Sequence, residues 1–141
     1  MRRELKRGVR NVSMCDRKAK RMTLLGICPL QHPRFFAGEE NVEVFHSAFT
    51  PLEWQLNSER PQNACYVKAV CDLTDRQRVV GLHFLGPNAG EVMQGFGLGI
   101  RLGMTFDDLR QLVGIHPTVA EELTLLQTTK RSGEPIEKSA C

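Results

Sequence analysis

Long apolar runs are absent from this 141-residue chain. No stretch approaches the roughly eighteen residues that a membrane-spanning helix needs, so no helical span is expected. The opening MRRELKRGVR lacks the apolar middle of a secretory signal, and none is expected. Aromatic residues are scarce, at 6% with one Trp and one Tyr, and none precedes Phe35. The five cysteines (Cys15, Cys28, Cys65, Cys71 and Cys141) form no C-x-x-C pair and no repeated ligand spacing. An odd, scattered set argues against a secreted disulfide framework and against a structural zinc site. No metal site is expected, and a reducing compartment fits best: the cytoplasm, with the mitochondrion as the alternative.

Charge divides the chain. Residues 1–37 hold ten Lys or Arg against two acids, a net of +8, and the remainder holds nine against fourteen, a net of −5, summing to the overall +3. The first 37 residues therefore read as a basic, unrelated or disordered segment, and nucleic-acid binding is the weakest of the functions considered for it.

After Gly38 three strand-like runs follow one another, over Val42–Phe49, Cys65–Asp72 and Arg78–Leu85. In the second, Cys65, Val67, Ala69 and Cys71 alternate with Tyr66, Lys68, Val70 and Asp72, the period of two of a half-buried antiparallel strand. Cys65 and Cys71 share a face but lie about six rises of ~3.3 Å apart, too far for a disulfide. Leu73–Gln77 reads as a hairpin loop. Past Gly86-Pro87 the period becomes helical. Asn88 and Glu91 suggest a capping box ahead of Val92, Met93, Phe96 and Ile100. Gly95, Gly97 and Gly99 fall inside that helix and lack the G-x-G-x-x-G spacing, so a nucleotide loop is rejected. A second helix is expected from the cap Thr105 to the stop at Gly114, and a third from Thr118, with Glu121 at its reciprocal capping position. Residues 128–141 have no apolar period and read as a mobile tail. Strands followed by helices indicate an α+β domain, one antiparallel sheet with helices on one side.

The sharpest local feature is Gly114-Ile115-His116-Pro117-Thr118-Val119-Ala120-Glu121-Glu122. His116 sits in a short link before a proline, where a cis bond costs only ~1 kcal/mol. An imidazole titrates near neutral pH and can serve a thiol–disulfide reaction, which needs one thiol deprotonated and one thiolate protonated. Glu121 is placed to orient the ring. The plainer readings remain open: a surface-loop histidine, and a carboxylate that only caps a helix. His32, His46 and His83 have no partner at ligand spacing and read as structural or incidental.

Four stretches carry a family resemblance: GEENVEVFHSAFTPLEW from Gly38 to Trp54, CYVKAVC from Cys65 to Cys71, RVVGLHFLGPNAGEVMQGF from Arg78 to Phe96, and GIHPTVAEE from Gly114 to Glu122. Together they resemble the interface domain of the pyridine nucleotide–disulfide oxidoreductases, within which the match is closest to the animal-type thioredoxin and thioredoxin–glutathione reductases. The resemblance implies a dimerisation domain over residues 38–127 and a mobile C-terminal redox tail over 128–141, with the family's first strand and its FAD and NADPH domains missing. It implies a homodimer, or pairing with a full-length reductase subunit, and a thioredoxin-like protein substrate for the parent enzyme. His116 matches the family's acid/base histidine, Glu121 the carboxylate paired with it, and the His116-Pro117 backbone the segment lying against the flavin. Cys141 stands where family tails carry a redox thiol; those tails end Gly-Cys-selenocysteine-Gly or with a cysteine pair, whereas here the sequence stops at Cys141 with Ala140 before it, so no second thiol or selenol stands beside it. FAD and NADPH belong to the parent enzyme; this chain alone is expected to bind neither and to be inactive. The alternative is a non-catalytic dimerisation module able to pair with full-length subunits.

Overall fold

The computed structural model of the chain describes residues 23–27, 38–55 and 63–136. Among the described residues seven strands and α-helices run in order: β1 (Thr23–Ile27), β2 (Val42–Phe49), α1 (Leu52–Gln55), β3 (Cys65–Asp72), β4 (Arg78–Gly86), α2 (Ala89–Leu102) and α3 (Phe106–Gln111). The strands form one antiparallel sheet in the order β1-β4-β3-β2. The α+β class with helices against one face is as expected, and the three strands after Gly38 fall where the strand-like runs place them.

The residue-by-residue alternation of β3 is what builds the core. Cys65, Val67, Ala69 and Cys71 are fully buried and face the helices. Val79, Leu82 and Phe84 of β4 meet them beneath Met93 of α2, Phe106 and Leu109 of α3, and Leu123 and Leu126 beyond. Fully burying each of the larger side chains contributes about 1.5–3 kcal/mol. Phe45 stacks on Phe106 with ring centroids 3.6 Å apart, tying β2 to α3. A bulge between Val70 and Cys71 inserts Val80 into the β3–β4 pairing, which bends the hairpin locally.

Four expectations need correction. The sheet does not end at β4, because β1 pairs along it from Thr23↔Gly86 to Ile27↔Leu82. Part of the basic segment read as unrelated to the domain thus fills the edge expected to be open. Asn88 stands before α2 in a left-handed conformation (φ 57°) with no side-chain cap, so no capping box with Glu91 forms. The box lies instead at α3: Asp108 N–H donates to Thr105 Oγ1 at 3.1 Å and Thr105 N–H donates to Asp108 Oδ2 at 2.9 Å. The Thr105 hydroxyl and amide hold the exposed Asp108 carboxyl below its usual range. Finally, no α-helix starts at Thr118; a single 3-10 turn, Glu121–Leu123, takes its place.

The tail is also different over its first part. His46 N–H donates to Thr128 O, Lys130 N–H to Val44 O and Ala48 N–H to Ile136 O, all at 2.8–2.9 Å. Thr128–Lys130 therefore lie antiparallel against the outer edge of β2 and the chain returns to it at Ile136, satisfying backbone groups that an edge strand would otherwise expose. Arg131 reinforces the attachment by donating to the carbonyls of Glu39 and Val42. Those bonds attach the first part of the segment expected to be a mobile tail to the sheet; residues 137–141, with Cys141, lie outside the described residues, as do Cys15, Cys28 and His32.

Ser47 is an exception in a well-satisfied sheet. Its hydroxyl is buried and has no hydrogen-bond partner among the described residues. An unpaired buried hydroxyl costs free energy without return. Ser47→Ala is accordingly expected to raise stability by about 1 kcal/mol, read as a higher urea midpoint at unchanged slope.

Candidate functional site

The link from α3 to the 3-10 turn brings two titratable side chains together. α3 stops at Gln111, and Leu112 leaves it in extended conformation. From there Val113 and Ile115 project into solvent at 88% and 74% exposure. The His116-Pro117 bond is cis, as its position in a tight link allows. The chain then reverses, and Leu123 and Leu126 plunge into the core and fix the turn.

Gly114 sets how closely the two limbs of this reversal approach. A Cβ there would lie 2.9 Å from the Glu121 Cβ and 3.2 Å from the Thr124 hydroxyl, so only glycine passes without displacement. Thr124 secures the turn from the other side, its hydroxyl donating to the Glu121 carbonyl at 2.8 Å.

The result is a hydrogen-bonded pair: His116 Nδ1 lies 3.0 Å from Glu121 Oε1. The carboxylate is nearly covered, at 15% side-chain exposure, and the imidazole stands 75% exposed. A carboxylate can only accept, so Nδ1 carries the hydrogen and Nε2 points outward, free to exchange a proton. The plainer reading of Glu121 as a helix cap falls away, because no such helix forms and its side chain is engaged by His116. Glu121 and His116 were both singled out from sequence; Gly114 as their spacer and Thr124 as their brace were not, since neither carries chemistry of its own.

Cys65 and Cys71 are sealed in the core face of β3. Burial, and then the Glu43 charge, push the Cys71 thiol up to about 12. At pH 8 its thiolate fraction is on the order of 10⁻⁴, and the thiolate is the reactive form. Iodoacetamide at pH 8 should leave Cys65 and Cys71 unmodified in the folded chain and label both once urea unfolds it, as peptide mass spectrometry would record. The same shift makes stability fall as pH rises from 9 toward about 12, because the unfolded thiol ionises first. Among the described residues no cluster of His, Cys, Asp and Glu is arranged to hold a metal ion, and no helix is long and apolar enough to cross a membrane.

Beyond the pair, the helical side of the molecule leaves apolar groups uncovered. Leu98 and Leu102 on α2 are 61% and 77% exposed, and Leu112, Val113 and Ile115 extend the uncovered set into the link that carries His116.

Comparison with known proteins agrees with this architecture. Residues 36–127 match the family described as the pyridine nucleotide-disulphide oxidoreductase dimerisation domain. A thioredoxin reductase, SEP1 of Emiliania huxleyi, is 56% identical over 104 residues, covering 74% of this chain and 21% of that protein. The HOCl-induced flavoprotein disulfide reductase RclA from Escherichia coli superposes with a TM-score of 0.57 at 16% identity, over 74% of this chain and 23% of that one. A Cu(II) complex of the same protein gives 0.56 at 17% identity, over 72% and 22%. The chain thus spans about a fifth of the length of the reductases it matches. The likeness to RclA speaks for the fold alone.

Proposed function

Because this chain belongs to the pyridine nucleotide-disulphide oxidoreductase dimerisation domain family, we propose that it serves as the C-terminal part of a disulfide reductase of the thioredoxin reductase type, lending a proton-transfer pair to a partner subunit. The observation that carries this reading is the His116–Glu121 pair: a covered carboxylate holding an exposed imidazole by Nδ1 at 3.0 Å. A histidine pinned in one tautomer and displayed on a surface is suited to complete another subunit's site. Its Nε2 would take the proton from an attacking thiol and return it to the leaving thiolate.

The cofactors proposed for the parent enzyme are FAD and NADPH. The His116-Pro117 link stands proud of the surface beside exposed Val113 and Ile115; that shape suits a rim laid against a flavin held by the partner, not a pocket enclosing one. When bound, the flavin supplies the electron and hydride chemistry; this chain supplies a proton, an apolar rim and a fixed backbone. Cys141 is proposed as the thiol that relays electrons toward a thioredoxin-like substrate, and the cytoplasm as the compartment.

Two experiments test the reading. The purified 141-residue chain should not oxidise NADPH with a disulfide acceptor. A chimaera in which its matched segment replaces that of the thioredoxin reductase SEP1 should do so; an inactive but folded, flavin-loaded chimaera would contradict the proposal.

The second reading, a non-catalytic dimerisation module, is favoured by the uncovered apolar set on α2 and the link. The isolated chain is expected to elute as a dimer with light scattering confirming the mass. Leu102→Glu with Val113→Glu should convert it to a monomer, since each places a charge where apolar area is buried on pairing. A monomeric parent chain would remove the support for this reading.

A further inference from the structure

A second cluster of titratable side chains lies on the opposite face of the sheet, away from His116. His46 of β2 pairs in register with Lys68 of β3, and Lys68 pairs with His83 of β4. One rung of the sheet therefore presents imidazole, ammonium and imidazole side by side on the face without helices. Neighbouring strands are ~4.8 Å apart, so the two outer groups start about 10 Å from each other with the lysine between them. The flanking rungs are mostly apolar: Val44, Val70 and Gly81 on one side, Ala48, Tyr66 and Leu85 on the other.

Among the described residues, the groups that act on this row are cationic or neutral. Tyr66 Oη lies 2.9 Å from His46 Nδ1, which leaves the His46 Nε2 outward. Lys130, on the segment outside β2, is close enough for its charge to act on His46. Gly26 of β1 faces His83 by register. None of the three row members forms an ion pair with another described residue. All three are half-buried.

The geometry points to a binding site for a tetrahedral dianionic oxyanion, a phosphoryl or sulfate group, seated over Lys68 between His46 and His83. Two charge-assisted hydrogen bonds of ~2.8 Å plus the width of such a group span most of the ~10 Å available. A carboxylate spans a similar distance but brings only a single charge to two imidazoles and an ammonium. The apolar rungs limit water's competition for the anion. Burial and then the Lys130 and Lys68 charges lower the His46 pKa, and burial and then Lys68 lower that of His83. An anion reverses those charge effects, so its binding draws protons onto the histidines and strengthens as pH falls. This site is independent of the role proposed for His116.

The test is a titration of the full 141-residue chain with sodium sulfate, whose charge is constant from pH 6 to 8, while histidine side-chain resonances are followed by NMR. His46 and His83 should move together with one dissociation constant, and His116 should stay still as an internal control. Affinity should rise by up to about tenfold per pH unit lowered for each proton taken up. Lys68→Met should weaken binding at least about tenfold, with circular dichroism confirming the fold, and Lys68→Arg should retain it. Inorganic phosphate and phenyl phosphate as further arms separate a free anion from a phosphoryl group on a larger molecule: comparable binding of both assigns the phosphoryl group, and binding of inorganic phosphate alone assigns a free anion. Equal movement of His46, His83 and His116, or binding unchanged in Lys68→Met, would overturn the site.

Discussion

Replacing His116 with glutamine in the SEP1 chimaera is expected to lower kcat by about 10²–10⁴-fold, the usual contribution of a positioned acid/base group. KM for the disulfide substrate should change far less, because the imidazole acts on protons in flight and not on ground-state binding. The expectation rests on an arrangement with little else to explain it. Glu121 is nearly covered and directed at Nδ1 at 3.0 Å, while the ring has 75% of its surface in solvent. A histidine kept for packing would be buried, and one kept for solubility would need no carboxylate beneath it. Glu121→Gln should cost less than His116→Gln, since an amide oxygen still accepts from Nδ1. Glu121→Leu should cost more than Glu121→Gln, by freeing the ring and its tautomer. Steady-state kinetics on the three variants checks the order, and equal activity in all of them would remove the pair from the mechanism.

The second large effect is on stability. Leu123→Ala should destabilise the chain by about 2–5 kcal/mol, against a total of about 5–15 kcal/mol for a domain. Leu123 is fully buried at the end of the 3-10 turn and lies in the same core as Phe84, Met93 and Leu109. Truncation leaves a cavity that this short turn, braced by Gly114 and Thr124, has little freedom to fill. The urea midpoint should drop by about 1–3 M at a typical slope. Leu125→Ala, two residues away but 48% exposed, is the control and should stay within about 0.5 kcal/mol of the parent. If the two variants lose equal stability, Leu123 does not anchor the turn.

What the sequence made legible follows from how each feature is encoded. β3 is written in side-chain alternation because its Cys65, Val67, Ala69 and Cys71 face is fully buried, so Cys65 through Cys71 announce themselves, while β2 and β4 read as apolar strand-like runs. The His116–Glu121 pair was legible as a five-residue spacing beside a proline, but its geometry was not: the spacing fits a helix cap equally well until the turn is seen. β1 was missed because Thr23–Ile27 is short and lies in a strongly basic segment, although the apolar run Leu24-Leu25-Gly26-Ile27 was a usable signal. The docking of residues 128–136 on β2 is made mainly by backbone hydrogen bonds, which leave no periodic trace in side chains. The row His46–Lys68–His83 was invisible for a different reason. Its members come from three strands, and only the register of the sheet aligns them.

The central claim is that His116 works in the partner subunit's site, and a hybrid dimer tests it most directly. One chimaeric subunit would carry His116→Gln; the other would keep His116 but lose the redox cysteine pair of its own flavin domain. Each homodimer is inactive. If His116 acts across the interface, the hybrid holds one complete site and activity returns on mixing and reassembly. Hybrids that form, as light scattering and differential tagging would show, yet stay as inactive as the parents would contradict the claim.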